Sequence, residues 1–203
     1  MARISSANSE GSVRQVGYLE RRSGSVPIRK VYAEARGRTL EGKFFSVHVE
    51  ARRCLKRLKK SEDSEAAFRL ANIAAISLVL EQRRLTPKII SILIHPERGD
   101  LGLCVKRAKP VSGSDNMDFE AFYERLRQTA MEYRILRNPY DDLPNVDSFL
   151  LEARVPSNLG IIDGRIVLID VDQKCTSQDP RIRRSISVLL KRIENARKAQ
   201  SSP

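Results

Sequence analysis

The chain contains no tryptophan, and aromatic residues make up only 5% of its 203 positions. That scarcity argues against a surface built to stack unpaired nucleic-acid bases. Histidine is nearly absent: His48 and His95 are the only two, and His95 stands before a proline with no HxxxH spacing near it. The three cysteines, Cys54, Cys104 and Cys175, lie far apart without a CxxC. Together these shortages leave no donor set for a zinc centre, and an odd, scattered cysteine count fits free thiols in a reducing compartment. No G-x-S-x-G occurs, so the strained serine turn of a hydrolase is missing. The longest apolar stretch, Ile73 to Leu80, is far short of the about 20 residues that cross a bilayer. The start, Met1-Ala-Arg-Ile-Ser-Ser, has no apolar core of a secretory leader. The expectation is a cytoplasmic protein with no membrane span.

What the chain has in excess is positive charge. Lysine and arginine number 37 against 25 aspartates and glutamates, for a net charge of +12. Such an excess favours anionic partners and says little about fold. The length suits one domain or two lobes sharing a cleft. The composition excludes a disulfide scaffold, a collagen-like chain and wholesale disorder.

Residues 1–12, rich in Ser, Asn and Gly, read as a mobile leader. Val13, Val16 and Tyr18-Leu19 form a strand-like run, Ser23 to Ser25 a turn, and Val26 to Ala33 a second, β-branched run. Gly37 and Gly42 bracket a polar stretch before a third run at Phe44 to Val49, so the pattern predicts an antiparallel meander. The basic run Arg52 to Lys60 reads as a solvated connector or helix face, or as a contact for phosphate or an acidic partner. Ser61 and the acidic residues Glu62, Asp63 and Glu65 suit a helix start. Phe68, Ala71, Ala75, Leu78 and Val79 give that helix an apolar stripe, and Pro87 closes it. Ile89 to Ile94 and Leu101 to Val105 read as buried strands, and Lys109 to Asn116 as a linker. The apolar spacing predicts a helix from Met117 to Arg137, ended by Asn138-Pro139. Asn145 to Leu151 carries no clear signal. Leu159 to Ile162 and Ile166 to Val171 flank Asp163-Gly164, a hairpin turn, and Asp179-Pro180 opens a last helix. The layout is α+β: five strands with one helix inserted after the third, then a helix, a hairpin and a helix.

The hairpin is where chemistry can sit. It places Asn158 just before one strand and Asp170 just after the next, so their oxygens can share a hard cation such as Mg²⁺. The plain alternative is that Asn158 caps a loop and Asp170 binds backbone. Pro156-Ser-Asn158-Leu-Gly-Ile-Ile-Asp163-Gly-Arg-Ile-Val-Leu-Ile-Asp170 resembles the catalytic loop and metal-binding strand pair of protein-kinase-like phosphotransferases, in the form found in aminoglycoside phosphotransferases. Asp170-Val-Asp-Gln173 resembles the corresponding ending of the atypical RIO kinases. In the first half, Tyr18 to Ala33 resembles a glycine-rich loop running into a second strand, with only Gly24 and the flanking Ser25 left of the usual glycines. Gly42 to Val49 resembles the third strand, the acidic-capped helix the regulatory helix, and Leu101 to Lys109 the fifth strand and hinge.

The resemblance covers roughly residues 16–175. It implies a minimal bilobal kinase-like fold: an antiparallel five-stranded N-lobe sheet with one helix over 13–109, a hinge at 110–116, and a small, mostly helical C-lobe over 117–203. It implies ATP and Mg²⁺ as ligands, with Asn158 and Asp170 holding the metal. Gly24, Ser25, Arg29, Lys30, His48 and Glu65 are then the nucleotide-binding candidates. The departures are specific. His48 stands where the family has its phosphate-binding lysine, and Arg29 or Lys30 on the neighbouring strand could substitute. Ala153 stands where the catalytic aspartate belongs, leaving Glu152, or Asp147, as candidate bases, and His48 as a second catalytic candidate. Val155 replaces the usual catalytic-loop lysine. Glu62 or Glu50 could replace Glu65 as the ion-pair glutamate in other registers. Minimal kinase-like effectors that bacteria deliver into host cells are similarly short, which suggests a host protein as substrate or partner. The expectation is an atypical protein kinase acting on Ser/Thr. The alternatives are a dead pseudokinase scaffold that docks an acidic partner and, on charge alone, a nucleic-acid- or ribosome-binding protein using the 52–60 run and the final basic helix.

Overall fold

The structure, a computed structural model, describes residues 19–30, 38–41, 45–49, 53–58, 63–94, 100–111, 117–137, 145–171 and 174–201. The expected leader, the run through Val13 and Val16, the Gly37 and Gly42 brackets, Glu50, Ser61-Glu62, His95, residues 112–116 and Asp172-Gln173 lie outside them.

The described chain is α+β. It opens with a helix, α1, described from residue 19 to 25, where the sequence suggested a strand and a turn. Leu19, Ser23 and Val26 are all buried. Their spacing of four and three residues is that of one helix face, and it outweighs the β-branched residues upstream. A short strand follows, β1 (Ile28–Lys30). Then come β2 (Arg38–Glu41), β3 (Phe45–Val49) and β4 (Arg53–Leu58), the helix α2 (Asp63–Gln82), and the pair β5 (Ile89–Ile94) and β6 (Leu101–Lys106). These six strands form one sheet in the order β1-β5-β6-β4-β3-β2. The expected five-stranded antiparallel sheet is therefore corrected. β2 to β6 are each antiparallel to their neighbours among these five, and β1 adds a sixth strand at the far edge, parallel to β5 with Ile28 opposite Ile92. The basic run at 52–60 is not a connector or helix face. Its centre is β4, an inner strand between β3 and β6.

The second half contains β7 (Lys109–Pro110), α3 (Phe119–Glu132), β8 (Ile135–Arg137), α4 (Val146–Ala153), a 3-10 turn at Pro156–Asn158, the hairpin β9 (Leu159–Ile162) and β10 (Arg165–Leu168), β11 (Cys175–Ser177) and α5 (Pro180–Ser201). The helix expected to reach Arg137 stops at Glu132. Arg134 takes a left-handed φ of 46°, and Ile135–Arg137 pair antiparallel with Cys175–Ser177 instead. The expected linker begins with β7, which pairs with β9. Asn145, left unassigned by the sequence, caps α4 by accepting a hydrogen bond from the Ser148 N–H at 2.7 Å.

α2 carries more than an apolar stripe. Every residue from Leu70 to Leu80 is buried, because one side lies on β5 and β6 and another against α5. A helix apolar all round belongs inside a fold. Asn72 is tolerated there because its amide donates to the Cys175 carbonyl. One core cluster runs from Leu19 through α2 to Ile193 of α5. α5 is further tied to α1, because Arg192 donates to the Ser23 carbonyl at 2.8 Å. Among the described residues, no helix is long and apolar enough to cross a membrane.

Candidate functional site

The β9–β10 hairpin turns at Asp163-Gly164, with φ of 50° and 72°. That left-handed pair is what a two-residue turn requires and what Asp-Gly supplies. Lys106 reaches the tip and donates to both Asp163 carboxylate oxygens, at 3.1 and 2.9 Å. Its hydrogen bond and charge hold the Asp163 carboxyl below the usual carboxylate range. The open ends of the hairpin meet as the sequence suggested. Leu159 stands opposite Leu168, and the Ile169 N–H donates to the Asn158 carbonyl at 2.8 Å. Asn158 and Asp170 thus sit at adjacent strand ends.

Two contacts fix this hairpin against the rest of the molecule. Just past α2, Thr86 Oγ1 donates to the Leu168 carbonyl at 2.9 Å, and the Leu168 N–H donates to the Leu85 carbonyl at 2.8 Å. On the other side, β7 lies so close to β9 that Gly160 has no room for a side chain. A Cβ there would stand 2.7 Å from Ala108 Cβ and 3.0 Å from the Lys109 carbonyl oxygen. Asp170 then lines a small cleft with Ser77 of α2, Thr86, and Leu103 and Val105 of β6. The cleft encloses about 20 Å³, room for about one water. It forms an apolar wall behind Asp170 and is too small to seat a base ring.

Asn158 is held by its amide nitrogen, which donates to the Glu152 carbonyl at 3.0 Å and to Glu152 Oε1 at 3.3 Å. The other Glu152 oxygen, Oε2, lies 3.2 Å from Arg137 Nη2. With the Asn158 amide nitrogen directed at Glu152, Oδ1 is the side-chain atom that could meet a cation. An amide oxygen and a carboxylate are the hard donors that Mg²⁺ takes, with waters and phosphate oxygens filling the remaining positions. Among the described residues, no group of three or more His, Cys, Asp or Glu side chains gathers as a metal site.

The other candidates do not converge there. Gly24 and Ser25 are the last residues of α1, not a loop between antiparallel strands. Ser25 Oγ donates to the Arg22 carbonyl at 3.0 Å, and a Cβ at Gly24 would meet nothing within 4 Å. Arg29 and Lys30 lie on β1, which three strands separate from β3, about 19 Å at the usual strand spacing. They cannot stand in for a residue on β3. Glu65 is exposed and pairs with Arg69 on its own helix.

Residues directly opposite in a ladder share a face of the sheet. One row runs Val47, Lys56, Leu103, Ile92; the next runs His48, Leu55, Cys104, Ser91. Leu103 lines the cleft beside Asp170, and in the ladder it pairs with Lys56 of β4, while His48 pairs with Leu55. Arg137 does not stand out in the sequence, because its contact with Glu152 depends on where β8 lies. The basic face of α5 is thinner than its composition implied. Arg181 is bound to Asp179 at 2.7 Å, Arg192 to the Ser23 carbonyl, and Arg184 lies 3.8 Å from Glu20.

No family model matches the chain, and no curated protein matches it.

Proposed function

We propose that the chain is a minimal, atypical protein-kinase-like protein that binds Mg²⁺-ATP and transfers phosphate to protein Ser/Thr, with the catalytically dead pseudokinase as its alternative. The observation that carries this reading is the β9–β10 hairpin, which brings the Asn158 amide and the Asp170 carboxylate to adjacent strand ends beside the α2-facing side of the sheet. The order of elements supports it. Three antiparallel strands lead into α2, a strand pair follows, and its second strand, β6, lies beside β4 and leads into the segment at 107–110. In that arrangement β4, not β3, takes the place of the third strand. Lys56 then replaces His48 as the phosphate-binding candidate, a role that suits a compact ammonium.

Each group has a defined task. Bound Mg²⁺ would neutralise charge on the phosphates, which is most of what phosphoryl transfer demands of its site. Asn158 and Asp170 hold the ion, Lys56 draws the phosphates toward the sheet, and the apolar cleft wall strengthens these interactions by excluding water. Glu152 does not act as the base, since Oε1 accepts from Asn158 and Oε2 is paired with Arg137. A hydroxyl acceptor would therefore have to be positioned without a dedicated carboxylate, and the expected turnover is slow.

The test is equilibrium binding of a fluorescent ATP analogue with Mg²⁺. Asp170→Ala should abolish the metal-dependent part, and Lys56→Met should weaken binding at least tenfold. Transfer of labelled γ-phosphate to a mixed protein substrate separates the enzyme from the pseudokinase. Metal-dependent binding that survives loss of both Asn158 and Asp170 removes the reading.

A further inference from the structure

Arg137, Glu152 and Asn158 come from three separate elements: β8, α4 and the 3-10 turn ahead of β9. They form a chain of contacts ending at the proposed metal pair. Arg137 Nη2 lies 3.2 Å from Glu152 Oε2, with the Arg137 side chain 14% and the Glu152 side chain 35% exposed. Glu152 then takes the Asn158 amide on both its backbone oxygen and Oε1. The loop that separates Arg137 from α4 is closed at its base by two backbone hydrogen bonds between Arg137 and Asn145, at 3.1 and 3.2 Å. Arg137 is thereby fixed to the residue that caps α4, and Glu152 lies on that same helix.

We infer that Glu152, held by Arg137, is a positioning residue for a cation at Asn158 and Asp170. This inference rests on the reading of those two residues as a metal pair. An asparagine is a weak, neutral ligand, and its amide can turn either face to an ion. A carboxylate that accepts from the amide nitrogen selects the face on which Oδ1 meets the cation. The same contact polarises the amide and makes Oδ1 more basic, the usual effect of an outer partner on a metal ligand. The Glu152 carbonyl alone could hold one amide proton. The carboxylate takes the amide as well, and its charge adds the polarisation that a neutral carbonyl lacks. The Arg137 guanidinium keeps the carboxylate aimed, since a half-buried glutamate without a partner would turn toward water.

The experiment is a Mn²⁺ titration of the full chain in the presence of a non-hydrolysable ATP analogue, read by loss of the free-ion paramagnetic resonance signal. Wild type, Asp170→Ala, Glu152→Ala, Glu152→Gln and Arg137→Gln are compared, with melting temperatures recorded without metal. The expected result is a 10- to 100-fold weaker Mn²⁺ affinity in Glu152→Ala, the range that loss of such outer partners produces. Glu152→Gln should recover part of it, because an amide oxygen still accepts from Asn158. Arg137→Gln should fall between wild type and Glu152→Ala. A residue that only braces α4 would lower the metal-free melting temperature and leave Mn²⁺ affinity unchanged in the folded fraction, and that result overturns the inference. If Asp170→Ala abolishes binding while Glu152→Ala leaves it intact, the positioning role fails and the metal pair stands. If wild type itself takes up no Mn²⁺ with the nucleotide, both fail together.

Discussion

Replacing Gly160 by alanine tests the packing that places the β9–β10 hairpin. The added Cβ would lie 2.7 Å from Ala108 Cβ, 2.8 Å from Ile169 Cγ2 and 3.0 Å from the Lys109 carbonyl oxygen. Unstrained carbon contacts fall near about 3.5–4.0 Å, so three neighbours must move by several tenths of an ångström. Two of them belong to the segment leading into β7, and the third adjoins Asp170. None is the far end of a flexible side chain. Overpacking of this kind costs about 1–3 kcal/mol, while losing a glycine from a strand returns about 0.5–1 kcal/mol. The balance is a loss of up to about 2.5 kcal/mol, or up to about 10 °C in melting temperature for a chain of this size. Gly24→Ala is the matched control. Its Cβ meets nothing within 4 Å, and its backbone is not left-handed, so the last turn of α1 should gain about 0.5–1 kcal/mol. Urea denaturation and calorimetry read both changes. If Gly160→Ala melts at or above the wild-type temperature, the close approach of β7 to β9 is wrong. If Gly24→Ala destabilises the protein and weakens nucleotide binding, a phosphate-gripping loop is present where the structure has a helix.

Asp179 is buried, and its carboxylate takes the Arg181 backbone N–H at 2.7 Å and the Arg181 guanidinium through both oxygens, so Asp179→Ala should cost about 1.5–3 kcal/mol in urea denaturation, the usual worth of hydrogen bonds to a charged group. Burial pushes this carboxyl up, and the Arg181 side-chain and backbone hydrogen bonds more than offset it, leaving it below its ordinary value. Its contribution is therefore full above the unfolded-state carboxyl value and lost as pH falls through the folded one; in Asp179→Asn the acid limb of a stability–pH curve should flatten. Asn72→Ala should cost about 0.5–1.5 kcal/mol by removing the buried hydrogen bond to the Cys175 carbonyl, again read by denaturant. Arg192→Met removes the donor to the Ser23 carbonyl, and amide exchange should then speed up across residues 19–25 with little change in α2.

Legibility in this sequence followed distance along the chain. Where the cause was local, the residues announced it. Asp163-Gly164 supplies the two left-handed positions of its turn, and Asp179-Pro180 marks the start of α5, so the hairpin and the last helix could be read directly. The meeting of Asn158 with Asp170 was legible for the same reason, since a tight hairpin brings its own ends together. Where the cause was a distant partner, the reading failed. The run Val26 to Ala33 announced the strand β1, but not its place: it lies parallel to β5, some sixty residues away, and no pattern within Ile28–Lys30 records that. β4 was obscured by its charges: Arg53, Lys56 and Arg57 interrupt Cys54, Leu55 and Leu58 so that no clean alternation emerges. α1 is the instructive error, because Leu19, Ser23 and Val26 already had helical spacing, but Val13 and Val16 upstream drew the reading toward a strand. The contacts of Glu152 were unreadable because Arg137 comes from β8, whose place depends on its pairing with β11.

The most direct test of the central claim is a thermal-shift titration of the wild-type chain and Asp170→Ala with ATP, with and without Mg²⁺. A ligand held only by the folded state at a hundred times its Kd stabilises by about 2.7 kcal/mol, which for a chain of this length is about 5–10 °C. The account predicts a rise of that size in wild type that requires Mg²⁺ and is lost in Asp170→Ala. An equal rise in both proteins, or no rise in either at saturating nucleotide, contradicts it.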